Sequence, residues 1–294
     1  MMPAAGPPRR PATPWYVVQA LGIVLAATAF AAEAPKGVRV STDFWVTRVG
    51  LSARVLIMAP ERPRAGVLLL PGGHGNINLD VQGQIGWGED DFVIRTRTHY
   101  ARAGFTTVLP DVSGDQKPPA KLDGYRRSPL QADDLRALSG QMQRMVGQVF
   151  VVAYDRGATS ALNLAGRGKM DAVAGLVLIS PVFEKGQDAD AILDEGARLA
   201  LGALPILVIH HGQDTCSAGA VARLEQIAAG LTPRRFESVA LTEGQDDIIL
   251  RDPFAYYHDP CNKEAHHALA GLDERVSTMV VEWLEKQVST PTQP

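Results

Sequence analysis

Residues 149–162 read Val149-Phe150-Val151-Val152-Ala153-Tyr154-Asp155-Arg156-Gly157-Ala158-Thr159-Ser160-Ala161-Leu162. The first five are apolar and mostly β-branched, as in a strand buried on both faces. The apolar run stops at Tyr154, and a stretch rich in small residues with helical character follows at once. The pattern predicts a strand, a tight elbow and a helix.

Such an elbow is where the G-x-S-x-G pattern places a nucleophile, with small flanking residues because the backbone is crowded. The corresponding frame here is Ala153-Tyr154-Asp155-Arg156-Gly157. Ala153 and Gly157 keep the steric logic, and Asp155 stands where the serine would be. No G-x-S-x-G occurs elsewhere in the chain. Ser160 is the nearest alternative nucleophile, but it lies more than one helical turn beyond the elbow.

Outward from the elbow, strands and helices alternate. Continuous or alternating apolar runs predict strands over 38–47, 51–58, 65–70, 105–109, 172–179, 205–209 and 236–241. Helical spacing predicts helices over 92–103, 130–146, 192–201, 218–229 and 272–286, with a loop over 115–127. This alternation implies one α/β domain over 36–288 with a doubly wound, mostly parallel sheet. The first strands have no helix between them, so that edge is expected to be antiparallel. Residues 289–294 are expected to be a disordered tail.

The chain has 294 residues, 46% of them hydrophobic, and a net charge of −3, enough for one sizeable core. There is no basic stripe, which argues against nucleic acid as a partner. Residues 1–31 differ from the rest. Arg9 and Arg10 precede an apolar run from Trp15 to Phe30, and Ala29-Phe30-Ala31 ends it. That is the layout of a signal peptide cut after Ala31, so the protein is expected to be periplasmic or secreted, touching membrane only through that segment. The alternative is an uncleaved anchor, for which the run is a little short. Export would favour a disulfide between Cys216 and Cys261, the two cysteines of the chain.

In open parallel sheets, sites form beyond the carboxyl ends of the strands. The loops expected there contain Gly72-Gly73-His74-Gly75, Asp155, Asp214 and the pair His266-His267. The run Ile206-Leu207-Val208-Ile209-His210-His211-Gly212-Gln213-Asp214 delivers an acid, and His267-Ala268-Leu269-Ala270-Gly271 precedes the closing helix. In this order, and with Ala153-Tyr154-Asp155-Arg156-Gly157 as the elbow, the chain resembles an α/β-hydrolase fold protein over about residues 36–288. The resemblance implies a catalytic set of Asp155 as nucleophile, Asp214 as acid and His267 as base. It also implies an oxyanion hole drawn from Gly73, His74 and the Arg156 N–H.

Asp155-Arg156-Gly157 looks like the elbow of some dehalogenases, in which an aspartate attacks carbon. About 59 positions separate Asp155 from Asp214, which leaves no room for a large cap domain. The expected function is hydrolysis of a small molecule carrying an ester, epoxide or carbon–halogen bond, with no cofactor. The competing reading is an inactive relative that binds a ligand or partner in the same cleft. Asp214 could instead cap the helix that follows it. His210, His211, Asp214 and His258 match no zinc pattern. Trp87, Tyr256 and Tyr257 could line a pocket, although ordinary packing accounts for them as well.

Overall fold

The computed structural model describes residues 35–116, 124–183, 189–231, 235–246, 261 and 265–288. The expected signal segment 1–31, the tail 289–294, and His258, Tyr256 and Tyr257 lie outside these. Among the described residues no helix is long and apolar enough to cross a membrane.

The eight strands are β1 (Val38–Arg48), β2 (Leu51–Pro60), β3 (Ala65–Leu70), β4 (Phe105–Ser113), β5 (Val149–Tyr154), β6 (Val173–Ile179), β7 (Ile206–His211) and β8 (Phe236–Leu241). They form one sheet in the order β1-β2-β4-β3-β5-β6-β7-β8. β2 runs against both of its neighbours, and every pairing from β4 to β8 is parallel.

The seven α-helices of the described residues are α1 (Phe92–Arg95), α2 (Arg97–Arg102), α3 (Pro129–Val146), α4 (Gly157–Gly166), α5 (Ala189–Ala203), α6 (Ala218–Ala229) and α7 (Asp273–Val288). Alternate residues of the central strands divide between two cores. Leu68, Val151, Ala153, Leu178 and Val208 pack with residues of α3 to α6. Leu69, Val152, Tyr154, Val177 and Ile209 pack with residues of α1, α2 and α7. The period-2 alternation of the strands thus places helices on both faces.

Three expectations need correction. The helix expected over 92–103 is two short helices. Thr96 lies between them at φ −97°, and its hydroxyl donates to the Phe92 carbonyl at 2.6 Å. A side chain bonded back to the preceding turn competes with the helical pattern. The strand expected over 105–109 runs through Pro110 to Ser113. Proline is tolerated because β4 pairs with β3 only as far as Val108, and its pairing with β2 shifts register between Ala53 and Val55. The loop expected over 115–127 contains a 3₁₀ turn, Tyr125–Arg127, with Arg126 buried.

Candidate active site

β5 ends in the centre of the sheet, and Asp155 turns the chain into α4. Its φ of 51° is in the left-handed region, where aspartate is tolerated better than most residues. The turn is pinned on both sides: Asp155 N–H donates to Ile179 O at 3.0 Å, and Val182 N–H donates to Asp155 O at 3.0 Å. Gly157 is required by a close approach. A Cβ there would sit 2.2 Å from the Leu70 carbonyl oxygen. Thus the glycine of the elbow frame lets α4 start directly against the end of β3.

The Asp155 side chain is fully buried. Its Oδ2 accepts the Gly73 N–H at 2.9 Å. Gly73 has φ +54° and follows β3 in the glycine turn. Gly72 could bear no side chain, since a Cβ would meet Asp155 Oδ2 at 2.5 Å. The other oxygen, Oδ1, faces His267 Nε2 at 3.5 Å. His267 Nδ1 lies 3.0 Å from Asp214 Oδ2 and 3.1 Å from Oδ1. The structure therefore brings Asp155, His267 and Asp214 into one buried line.

Asp214 does not cap α6, whose N-cap position is Ser217; its carboxylate meets His267 and closes the turn that leads into the helix. Besides meeting His267, its Oδ1 accepts the N–H groups of Cys216 at 2.9 Å and Ser217 at 3.1 Å, at the entrance to α6. Burial alone would raise its pKa, but the hydrogen bonds from His267 and Ser217 outweigh burial and hold it below the usual carboxylate range. For His267, burial would lower the pKa. Hydrogen bonding and charge from Asp155 and Asp214 overcome that and push it up to about 10. The two carboxylates thus favour the imidazolium form of His267.

His266 turns away from this line. Its ring stacks on His211, centroids 4.2 Å apart and planes 3° from parallel. His211 Nδ1 accepts the Gln213 N–H at 3.1 Å, and burial, helped by His266, lowers its pKa. His74 sits in the glycine turn with Nδ1 accepting the Asn76 N–H at 3.1 Å and its ring edge-on to Trp87. Arg156 caps α4 at φ −66°. Ser160 is buried in α4, where its hydroxyl accepts from Arg126 Nη1 at 2.9 Å.

Cys216 and Cys261 are joined in a disulfide, their Cα atoms 6.2 Å apart. One group of His, Cys, Asp and Glu among the described residues brings its ligand atoms within 4.8 Å of one another, namely Asp214, Cys216 and His267. With Cys216 oxidised, that group offers a metal no thiolate.

Four residues near the site have no counterpart in the sequence reading. Asp91 is buried at the start of α1, where Oδ2 accepts the Gly72 N–H at 2.6 Å and Oδ1 accepts those of Val93 and Ile94. Burial and the nearby Asp155 charge, opposed by the Gly72 hydrogen bond, push its pKa up to about 7. Arg126 reaches the carbonyls of the glycine turn. Tyr154 packs its ring 5.5 Å from that of His267 and donates to the His267 carbonyl at 3.4 Å. Arg95 donates to the Ala268 carbonyl at 2.5 Å and pairs with Asp273, tying the histidine loop to α1. Only Asp91 had a local signal, as an aspartate just before a helical pattern.

The architecture has counterparts among solved structures. A dienelactone hydrolase from Anabaena variabilis superposes with a TM-score of 0.59 at 13% identity, covering 85% of this chain and 98% of that one. The esterase Pf2001 of Pyrococcus furiosus gives 0.57 at 12% identity, over 85% of this chain and 90% of that one. This is an α/β-hydrolase fold. DcsB, solved with a substrate analogue, shares the fold at a TM-score of 0.60 and 12% identity, over 86% of this chain and all of that one (100%). No family model and no curated protein matches the sequence. In this hydrolase fold the chain between Asp155 and Asp214 carries α4, β6, α5 and β7, with no large cap among the described residues.

Proposed function

We propose that this protein is a hydrolase of the α/β type that cleaves a bond from carbon to a leaving group in a small molecule. An epoxide or an alkyl halide fits the chemistry best. The observation that carries the reading is the disposition of Asp155. One carboxylate oxygen is held by a backbone N–H, and the other faces the base across 3.5 Å.

In the first step an Asp155 oxygen attacks the substrate carbon. A carbon–oxygen bond forms, the bond to the leaving group breaks, and the leaving group takes the electron pair. The product is a neutral ester of Asp155. Losing that negative charge removes one of the two influences that raise the His267 pKa. An epoxide would take the imidazolium proton on its opened oxygen, whereas a halide would depart as the anion and the proton would leave to solvent. Either way His267 becomes neutral. Its Nε2 can then accept a proton from water as the water attacks the ester carbonyl carbon. The resulting oxyanion has the Gly73 N–H as donor, with the Arg156 N–H as the second. Collapse expels the alcohol, which takes the proton from His267 and leaves Asp155 as a carboxylic acid; that acid then gives its proton to His267 Nε2, restoring the carboxylate and the imidazolium. Asp214 holds the imidazole orientation throughout.

Simple esters fit less well, because a carboxylate attacking an ester carbonyl would give an anhydride. The disulfide supports an exported location, since disulfides persist in oxidising compartments. A second reading rests on the same triad: its three side chains are fully buried, as an ion pair kept in a binding protein would be.

The two are separated by assaying epoxides, alkyl halides and short-chain esters with the parent protein, Asp155→Ala and Asp155→Ser. The hydrolase reading expects turnover of an alkyl electrophile that both variants lose. Ester cleavage by Asp155→Ser alone would favour the binding reading.

A further inference from the structure

The glycine turn that receives Asp155 has almost no side chains with which to hold itself. Gly73 has open space where a Cβ would be, and it sits at positive φ. Its N–H must nevertheless stay on one carboxylate oxygen. A glycine pair is the most mobile way to build such a turn, and the turn's own bonds, from Gly75 N–H to the Gly72 carbonyl at 3.2 Å and from Asn76 N–H to His74 Nδ1 at 3.1 Å, leave the Gly73 N–H to be aimed by other groups.

The fixing groups come from two other parts of the chain. Arg126 Nη2 donates to the Pro71 carbonyl at 2.7 Å and to the Gly72 carbonyl at 2.6 Å, and Nε donates to the Gly73 carbonyl at 3.1 Å. Three successive carbonyls thus meet one rigid fork. Nη1 is anchored on the Ser160 hydroxyl of α4, the helix that begins at the elbow. From the other side, Asp91 Oδ2 accepts the Gly72 N–H at 2.6 Å. Capping α1 occupies only Oδ1 of Asp91, so helix capping does not explain the second bond.

We propose that Arg126 and Asp91 are positioning residues that clamp the Gly72–Gly73 peptide groups and so keep the Gly73 N–H aimed at the reacting carboxylate. Both are buried, with relative exposures of 2% and 5%. Burying ionic groups is costly unless hydrogen bonds compensate, and here the compensating partners are the turn's own backbone groups. A lysine has no planar fork with which to span three carbonyls. The catalytic meaning of the clamp rests on the hydrolase reading, but the clamp itself does not.

The test uses protein labelled with ¹⁵N-glycine. The Gly73 amide is identified as the glycine signal most displaced by Asp155→Asn. In Arg126→Lys, shown folded by its near-ultraviolet circular dichroism, the Gly73 amide proton should move upfield and exchange with solvent at least about ten-fold faster. With a substrate in hand, kcat should fall about 10- to 100-fold at nearly constant KM, the signature of an interaction made in the transition state. An unchanged Gly73 amide in the folded variant would overturn the proposal, whatever the melting temperature does. If Arg126→Lys does not fold, Asp91→Asn decides. It keeps the size and one capping oxygen, and it should displace the Gly72 and Gly73 amides; unmoved amides would again overturn the clamp. Because the amide readout needs no substrate, a protein with no turnover and a responsive Gly73 would discard the hydrolase reading alone.

Discussion

Two buried charged clusters in this molecule are built on opposite plans. Around Asp134, both carboxylate oxygens are bonded and the set is closed. The carboxylate takes Arg48 Nε at 2.6 Å and Nη2 at 3.1 Å, the Ser113 hydroxyl at 2.8 Å and the Tyr125 hydroxyl at 2.5 Å. Asp115 completes the arginine from the other side at 2.9 Å. These bonds raise the Arg48 pKa further, and burial together with the Asp134 carboxylate pushes that of Tyr125 up. Around His267 the contact that matters is loose. Nε2 stands 3.5 Å from Asp155 Oδ1, at the outer limit of a hydrogen bond. Asp155 itself holds a left-handed backbone, a strain of about 1–3 kcal/mol where the surroundings enforce it. The first cluster joins β1, β4 and α3 and has nowhere to go. The second leaves its central contact longer than any bond in the first.

The comparison is broken most strongly by removing one acid from each cluster. Asp155→Ala should abolish turnover, by at least about a thousand-fold, as loss of a covalent nucleophile does. Its fold should survive, as read by circular dichroism. Asp134→Ala should do the reverse to stability. Leaving Arg48 without its main partner should cost about 3–5 kcal/mol in urea unfolding. If Asp155→Ala lowered stability by as much as Asp134→Ala, the two clusters would be the same kind of object.

A smaller effect is expected at the disulfide. It joins Cys216, whose N–H bonds Asp214, to Cys261, six residues before His267. Replacing both cysteines by serine should cost about 2–4 kcal/mol in urea unfolding. Unchanged stability would place the bond outside the frame of the acid loop.

The smallest effect is one of pH. The His267 pKa of about 10 lies above the ordinary histidine value of about 6.5. The native state therefore binds the extra proton. This stabilisation is complete below about 6.5 and is lost as pH rises through about 10. Asp155→Asn removes one of the two carboxylates responsible, so the His267 ring should titrate at lower pH in that variant. The stability gap between parent and variant should also be wider at pH 6 than at pH 10.5. A ring titration that does not move would show that Asp155 and His267 are not coupled.

Much of this was legible in the sequence, for local reasons. The runs at 65–70 and 149–154 are continuous and apolar because these strands lie between two helical layers. The elbow could be read because crowding leaves a mark on sequence, namely glycine at 157. Other features depend on distant partners and leave no such mark. The extension of β4 beyond Pro110 depends on where β3 stops pairing. Arg126 looks like any loop arginine until the fold lays it 53 positions away against Gly73. Asp91 could be read as a helix cap, but not as the acceptor for Gly72. Asp214 reads in sequence as either helix cap or partner of His267, and the fold places it against His267 with its spare bonds in the turn before α6.

The central claim is that Asp155 becomes covalently attached to substrate and that His267 releases it. Its most direct test is intact mass spectrometry of His267→Gln after mixing with a substrate that the parent protein turns over. The account predicts a stable added mass equal to the alkyl portion of that substrate, mapped by peptide analysis to Asp155. Unmodified protein, or an adduct on any other residue, would contradict it.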